Sequence, residues 1–144
     1  MGIDFLAKPI TRAKQKAAEQ CVTATFLVMD ALALKDLPEV FDSVIDSGLF
    51  HVFNDDDRHR YVEGYATVLK PGGRLFVLCF SDDDPGTQGP RRVPKKELHA
   101  AFVEGWNIES IEPLRYEVRP DLKDFTFSDG GPKAWFVAVR RLGV

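Results

Sequence analysis

The stretch "LKPGGRLFVLCF", residues 69–80, constrains the fold more than any other part of this chain. Its second half is an unbroken run of large apolar residues, typical of a strand that is covered on both faces in a parallel sheet flanked by helices. Pro71 cannot continue the helical pattern before it, and the paired glycines allow a tight reversal into the strand. The stretch therefore predicts an α/β architecture.

Hydrophobic periodicity predicts the other elements. Helices are expected over residues 9–21, after a cap at Asn54 or Asp55, and over 94–105. Strands are expected at 1–5, 23–30, 41–48, 106–118 and 133–142, with 31–39 as a connection. The last two strands are close in sequence, so we expect them to pair antiparallel, with Pro113 interrupting the first of them. The segment 81–94 is too long for a simple connector, and it is either a lid or binding loop or a disordered one.

Composition limits the chain to one ordinary domain over residues 1–144. With 144 residues, 44% of them hydrophobic, it can bury one core, and two are not expected. Its formal net charge is −3, whereas binding to nucleic acid needs a basic face. The basic cluster of Arg91, Arg92, Lys95 and Lys96 follows the acidic run 82–84, so a solvated loop is a better interpretation than a phosphate site. We expect no nucleic-acid partner.

The two cysteines and the hydropathy pattern bear on compartment and cofactor class. Cys21 and Cys79 have no partner at the spacing of a metal site, so we expect no metal, and Cys79 lies in an apolar run as a small hydrophobe. No apolar stretch approaches the roughly 18 residues that a membrane span needs. A protein of the reducing cytoplasm, with no membrane association, is the expectation.

Three aspartates stand where predicted strands end. Asp4, Asp30 and Asp46 each close such a strand, and ligands of open α/β sheets bind outside the carboxyl ends of the strands. A carboxylate can accept both hydroxyls of a ribose or the exocyclic amine of adenine. A single aspartate of this kind is more often a helix cap or turn residue. Three in order favour a nucleoside site.

At this point the sequence resembles a known family, the class I S-adenosylmethionine-dependent methyltransferases, in the small-molecule branch of thiopurine and quinone or quinoline O-methyltransferases. The motifs that carry the resemblance are "GIDFLAKPI", "FLVMDALAL", "FDSVIDSGLFHVF", "VLKPGGRLFVLCFSD" and "AWFVAVRR", which together cover nearly the whole chain. The resemblance implies a Rossmann-like, mostly parallel sheet whose last strand is antiparallel. It also implies S-adenosylmethionine as cofactor and S-adenosylhomocysteine as product.

The resemblance assigns cofactor contacts to three motifs. These residues are Asp4, Phe5, Asp30, Ala31, Asp46, Ser47 and Gly48. Asp4 would hold the ribose hydroxyls with Phe5 against the adenine, and Asp30 with the backbone of Ala31 would contact the adenine. The motif at strand four would place Asp46 and its neighbours beside the cofactor.

One family motif does not occur in this sequence. The family's first strand ends in a glycine-rich loop of the form Asp/Glu-x-Gly-x-Gly-x-Gly, and the 11 glycines here form no such string. In the family's sheet that strand lies between the second and the fourth, so its absence would leave two interior edges unpaired. Rearrangement, a strand from a partner or a swapped homodimer, or an incomplete reading frame would each account for this. We expect incompleteness.

The expected reaction is methyl transfer to a small aromatic or heterocyclic acceptor. His51, just past Gly48, is the candidate base, and a packing or hydrogen-bonding role in the crevice wall is the alternative. Phe50, Phe80 and Ser81 are the candidate acceptor contacts, although aromatic residues at strand ends are more often core.

The exit of strand four reads "DSGL" where related amine methyltransferases carry Asn/Asp-Pro-Pro-Tyr, which argues against methylation of base or glutamine amines. The alternative function is non-catalytic: a pseudoenzyme, or a swapped or partner-completed module that does not bind the cofactor. A nucleotide-binding oxidoreductase is disfavoured, since it needs a glycine-rich turn as well.

Overall fold

A computed structural model describes residues 1–119 and 127–143 of the chain. In chain order the elements are β1 (Gly2–Asp4), α1 (Ala7–Glu19), β2 (Phe26–Val28), a 3-10 helix (Ala31–Asp36), β3 (Phe41–Ser47), α2 (Asp55–Val68), β4 (Leu69–Phe80), α3 (Lys95–Ala101), β5 (Trp106–Arg115) and β6 (Lys133–Arg141). The predicted α/β class is confirmed.

The strands form two separate sheets. β1 and β2 pair in parallel, and a four-stranded sheet has the order β3-β4-β6-β5. β3 and β4 are parallel, while β6 is antiparallel to both of its neighbours, which confirms the predicted antiparallel last strand. Consequently β3, β4 and β5 run in one direction, and their carboxyl ends meet at one edge of the sheet.

The core lies between one face of the four-stranded sheet and helices α2 and α3. Leu75 and Val77 of β4 and Val137 of β6 are fully buried, and Tyr65 of α2 and Leu98 of α3 cover them. Alternate residues of these strands face the same side, which is why every second position is buried. This packing fixes the strand ends that carry the candidate site.

Asn54, one of the two predicted caps, begins α2. Its side chain accepts a hydrogen bond from the backbone N–H of Asp57 at 2.8 Å, and acidic residues fill the first turn, where they complement the helix dipole.

Two proline predictions need correction. The "PGG" residues form an irregularity within β4 and no turn before it, because Leu69 already pairs with Phe41 and regular pairing resumes only at Arg74. A Cβ on Gly73 would lie 2.9 Å from the carbonyl oxygen of Asp42, so the backbones approach too closely for a side chain. Pro113 does not interrupt β5, since an edge strand tolerates proline and, among the described residues, this one pairs only with β6.

Candidate functional site

A cleft of about 810 Å³ lies between the two sheets, on the side of β1 and β3. β1 pairs only with β2, and β3 pairs only with β4 among the described residues, so each strand presents an unpaired edge. Both strands line the cleft, and Ile45 of β3 is 78% exposed there. All seven residues predicted to contact the cofactor line this cleft: Asp4, Phe5, Asp30, Ala31, Asp46, Ser47 and Gly48.

Asp4 is the last residue of β1, and Asp30 follows the end of β2 by two residues. One carboxylate oxygen of Asp4 accepts the backbone N–H of Leu6 at 2.7 Å, and one of Asp30 accepts that of Leu32 at 2.9 Å. The second carboxylate oxygen of each has no hydrogen-bond partner in the protein among the described residues. Each side chain is therefore oriented by its own turn and keeps an oxygen for a ligand.

Asp46 also lines the cleft, but both of its carboxylate oxygens accept hydrogen bonds from the protein itself. Oδ1 accepts the backbone N–H of Leu49 at 2.9 Å, while Oδ2 accepts that of Phe50 at 3.0 Å and the hydroxyl of Tyr65 at 2.7 Å. Burial raises the pKa of this carboxyl, against the lowering effect of the hydrogen bonds from Tyr65 and the two amides. Asp46 shapes the exit of β3, which presents Ser47 and Gly48 to the cleft.

The structure places His51 beside Gly48 and Phe80, and its predicted role as a base stays a prediction. The imidazole is buried, and its Nδ1 accepts the backbone N–H of Phe80 at 2.8 Å. Burial lowers its pKa to about 4. The Nδ1 lone pair is therefore engaged by the Phe80 amide. The packing and hydrogen-bonding alternative accounts for this geometry.

Two of the three predicted acceptor contacts are also structural. Phe50 is wholly buried, where its ring stacks on Phe102 with centroids 5.7 Å apart, because Asp46 turns it into the core. Ser81 is 1% exposed, and its hydroxyl accepts the backbone N–H of Asp83. Phe80 retains 8% exposure and packs against the rings of His51 and Tyr116. None of the three lines the cleft.

Tyr116, which the sequence reasoning did not single out, lies at the same edge. It follows β5 directly, and its hydroxyl donates to the carbonyl of Leu78 at 2.6 Å. That carbonyl also accepts the N–H of Gly48 at 3.0 Å. Burial raises the pKa of the phenol, so the hydroxyl keeps its proton. Its place at the end of a strand parallel to β3 and β4 was the available signal, but the predicted strand ran on to residue 118 and so placed Tyr116 inside it.

The loop 81–94 is anchored by Asp84. This carboxylate is 5% exposed and accepts hydrogen bonds from Ser128 Oγ at 2.6 Å, the Lys133 amide at 3.0 Å and Arg92 at 2.8 Å. Burial alone would raise the pKa of Asp84, but these bonds outweigh it and lower the pKa to about 2. The guanidinium of Arg92 also lies 4.7 Å from the centre of the Phe80 ring. The loop is thereby fixed beside Phe80.

The described residues contain neither a cluster of metal ligands nor a membrane-spanning helix. No cluster of three or more histidine, cysteine, aspartate or glutamate side chains could hold a metal ion there. None of the helices described is long and apolar enough to cross a membrane.

A family model described as a methyltransferase domain matches residues 1–73. The chain is 31% identical over 134 residues to a 2-heptyl-1-hydroxyquinolin-4(1H)-one methyltransferase of Mycobacteroides abscessus, a match that covers 91% of this chain and 57% of that protein. It is 37% identical over 89 residues to a demethylmenaquinone methyltransferase of Thermus thermophilus, covering 62% of this chain and 40% of that one. The chain thus spans about half the length of these relatives.

Among solved structures, one concerned with conversion of a disulfide bond into a thioacetal group during echinomycin biosynthesis superposes with a TM-score of 0.80. It is 31% identical, and the match covers 98% of this chain and 65% of that one.

Proposed function

Since the chain belongs to the class I S-adenosylmethionine-dependent methyltransferases, we propose that it binds S-adenosylmethionine in the cleft between the two sheets and transfers its methyl group to a small acceptor. The observation that carries the proposal is the pair Asp4 and Asp30. Both end neighbouring parallel strands, both are oriented by a backbone amide, and both keep a carboxylate oxygen on one cleft.

The chemistry of the cleft suits a nucleoside. Asp4 accepts hydrogen bonds from the ribose hydroxyls, and Asp30 with the backbone of Ala31 contacts the adenine. Phe5 is 71% exposed beside Asp4, where an aromatic ring gains by stacking on a base. Ser47 and Gly48 form the wall towards the methyl group, positioned by Asp46 from behind.

Bound S-adenosylmethionine supplies an electrophilic methyl group. The chain contributes position and exclusion of water, which account for most of the rate of such a transfer. Because the Phe80 amide engages the Nδ1 lone pair of His51 and burial lowers the pKa of the ring, we expect the acceptor to lose its proton to solvent or to another group. The expected acceptors are therefore those whose hydroxyl or N–H is already acidic.

The proposed acceptor is small and aromatic or heterocyclic. Phe80 and Tyr116 pack edge to face with centroids 5.2 Å apart near the wall that carries Gly48. The relative that shares 31% identity acts on a quinolinone by its name, which supports a planar heterocycle as the substrate class. The proposed setting is the cytoplasm.

A second candidate follows from the unpaired edges of β1 and β3. Unpaired backbone groups in the interior of a sheet cost free energy and attract another strand. In this alternative the cleft receives a strand from a second copy, from a partner or from a longer reading frame, and the chain alone is a non-catalytic module. Light scattering of the purified chain tests the homodimer, since a monomer would exclude exchange between copies.

Titration calorimetry with S-adenosylhomocysteine tests the proposed function. We expect a dissociation constant in the micromolar range for the chain, and a loss of about ten- to a hundredfold for Asp4→Ala, since hydrogen bonds to a carboxylate contribute about 1.5–3 kcal/mol. Asp36→Ala is the matched control, because Asp36 is exposed and does not line the cleft. No heat from a folded chain would contradict the proposal and support the non-catalytic module.

A further inference from the structure

The space above Gly48 is bounded by two polar side chains. Gly48 has a φ of +88°, and a Cβ built on it would lie 3.7 Å from Tyr116 Oη and 3.8 Å from His51 Nε2. No other heavy atom of the described residues comes within 4 Å of that position, apart from the neighbours of Gly48 in the chain. Gly48 itself lines the cleft. A ligand atom placed over Gly48 would therefore lie near both polar side chains.

The two groups differ in what they offer a ligand. The Tyr116 hydroxyl gives its hydrogen to the Leu78 carbonyl at 2.6 Å, so its oxygen faces a ligand as an acceptor. His51 Nδ1 accepts the Phe80 amide, so the Tyr116 oxygen is the acceptor that this space offers. The niche thus favours a ligand that donates a hydrogen bond.

The position of Tyr116 is well fixed. Its backbone N–H donates to the carbonyl of Pro132 at 3.0 Å, and its ring packs at 87° against Phe80. Because the backbone, the ring and the hydroxyl of Tyr116 are each held by the protein, the hydroxyl is pre-organised. Little entropy is therefore lost when it binds a ligand.

We propose that Tyr116 is a specificity residue of the acceptor site, whose oxygen accepts a hydrogen bond from the hydroxyl or N–H of the methyl acceptor over Gly48. The ligand class is a planar heteroaromatic that carries such a donor beside the reacting atom. The inference rests on the proposed function for the identity of the ligand as methyl acceptor, but its binding chemistry is independent of the cofactor.

A matched pair of probes tests this in the absence of cofactor. The probes are 1-hydroxyquinolin-4(1H)-one, which has a hydroxyl donor, and its O-methyl ether, which lacks it. We expect the chain to bind the hydroxyl compound about three- to tenfold more tightly, the ratio that corresponds to one hydrogen bond. Tyr116→Phe should bind both compounds with equal affinity. Tyr61→Phe removes a different hydroxyl at the cleft and should keep the preference.

The ratio of the two affinities separates specificity from a structural role, because a distorted wall would weaken the binding of both probes equally. Melting temperatures of the variants show that they are folded. A preference that survives in Tyr116→Phe, or an absence of binding by both probes to the folded chain, overturns the proposal. If the probes bind as expected while S-adenosylhomocysteine does not, the niche stands and the proposed methyl transfer fails.

Discussion

The buried, neutral His51 gives the folded state a specific dependence on pH. Its pKa is lowered from 6.5 to about 4 because the ring is buried, with Arg92 and Arg58 adding smaller effects of the same sign. In the unfolded chain the imidazole takes up a proton as the pH falls through 6.5, whereas in the folded chain it does so only near 4. Between those values the unfolded state binds more protons, so stability falls as the pH falls.

The magnitude follows from the two pKa values. Each pH unit between them is equivalent to about 1.4 kcal/mol, so the contribution of His51 to the free energy of unfolding decreases by roughly 2.5 kcal/mol from pH 7 to pH 4.5. Asp46 acts in the opposite direction, since its pKa is raised by burial and protonation favours its folded form. The dependence of the wild-type free energy of unfolding on pH therefore contains both effects, and a variant of His51 is needed to separate them.

His51→Asn isolates the histidine. The Asn Oδ1 lies in the place of Nδ1 and keeps an acceptor for the Phe80 amide, while the titrating ring is lost. We expect the variant to be about 1–3 kcal/mol less stable than the wild type at pH 7, and this difference to shrink by roughly 2.5 kcal/mol at pH 4.5.

Urea unfolding at pH 7, 6, 5.5 and 4.5 measures this difference for the wild type and the variant. His59→Asn is the matched control, because the His59 side chain is 73% exposed and belongs to the solvent face of α2. If the free energies of unfolding of the wild type and His51→Asn changed in parallel with pH, His51 would titrate alike in the folded and unfolded chains. That result would refute the buried neutral imidazole and reopen its role as a base.

Two further variants test the supports of the site. Tyr65→Phe should destabilise the fold by about 1–3 kcal/mol in urea unfolding, because it leaves a buried oxygen of Asp46 with one donor fewer; an unchanged stability would contradict this support of the site. Asp84→Ala should cost about 3–5 kcal/mol and open the loop 81–94 to limited proteolysis, since Arg92 loses its buried partner. The exposed neighbour Asp83 provides the control, and equal cleavage of Asp83→Ala and Asp84→Ala would count against the anchor.

The strand ends were predictable because they depend on local patterns. Apolar runs that close on an aspartate placed Asp4 and Asp30 at the carboxyl ends of β1 and β2, and the turn that each carboxylate makes involves a residue only two positions away. The direction of the last strands and the cap of α2 at Asn54 were predictable for the same reason.

The wall of the cleft was not predictable because distant groups set it. His51 and Phe50 follow β3 as sequence neighbours of Gly48, yet Asp46 turns the backbone so that both point inward. The bond that fixes His51 comes from Phe80, 29 positions away, and the bond that fixes Tyr116 goes to Leu78, 38 positions away. The hydrophobic periodicity of the sequence does not indicate contacts between residues so far apart in the chain.

Amide chemical shifts test most directly whether the cleft between the two sheets is the cofactor site. The N–H groups of Leu6 and Leu32 donate to Asp4 and Asp30, so their ¹H–¹⁵N signals report on the two carboxylates, while the Gly48 amide reports on the opposite wall. On addition of S-adenosylhomocysteine we predict that these three signals shift together with one dissociation constant. Shifts confined to other parts of a folded chain, or none at all, would contradict the assignment of the cleft.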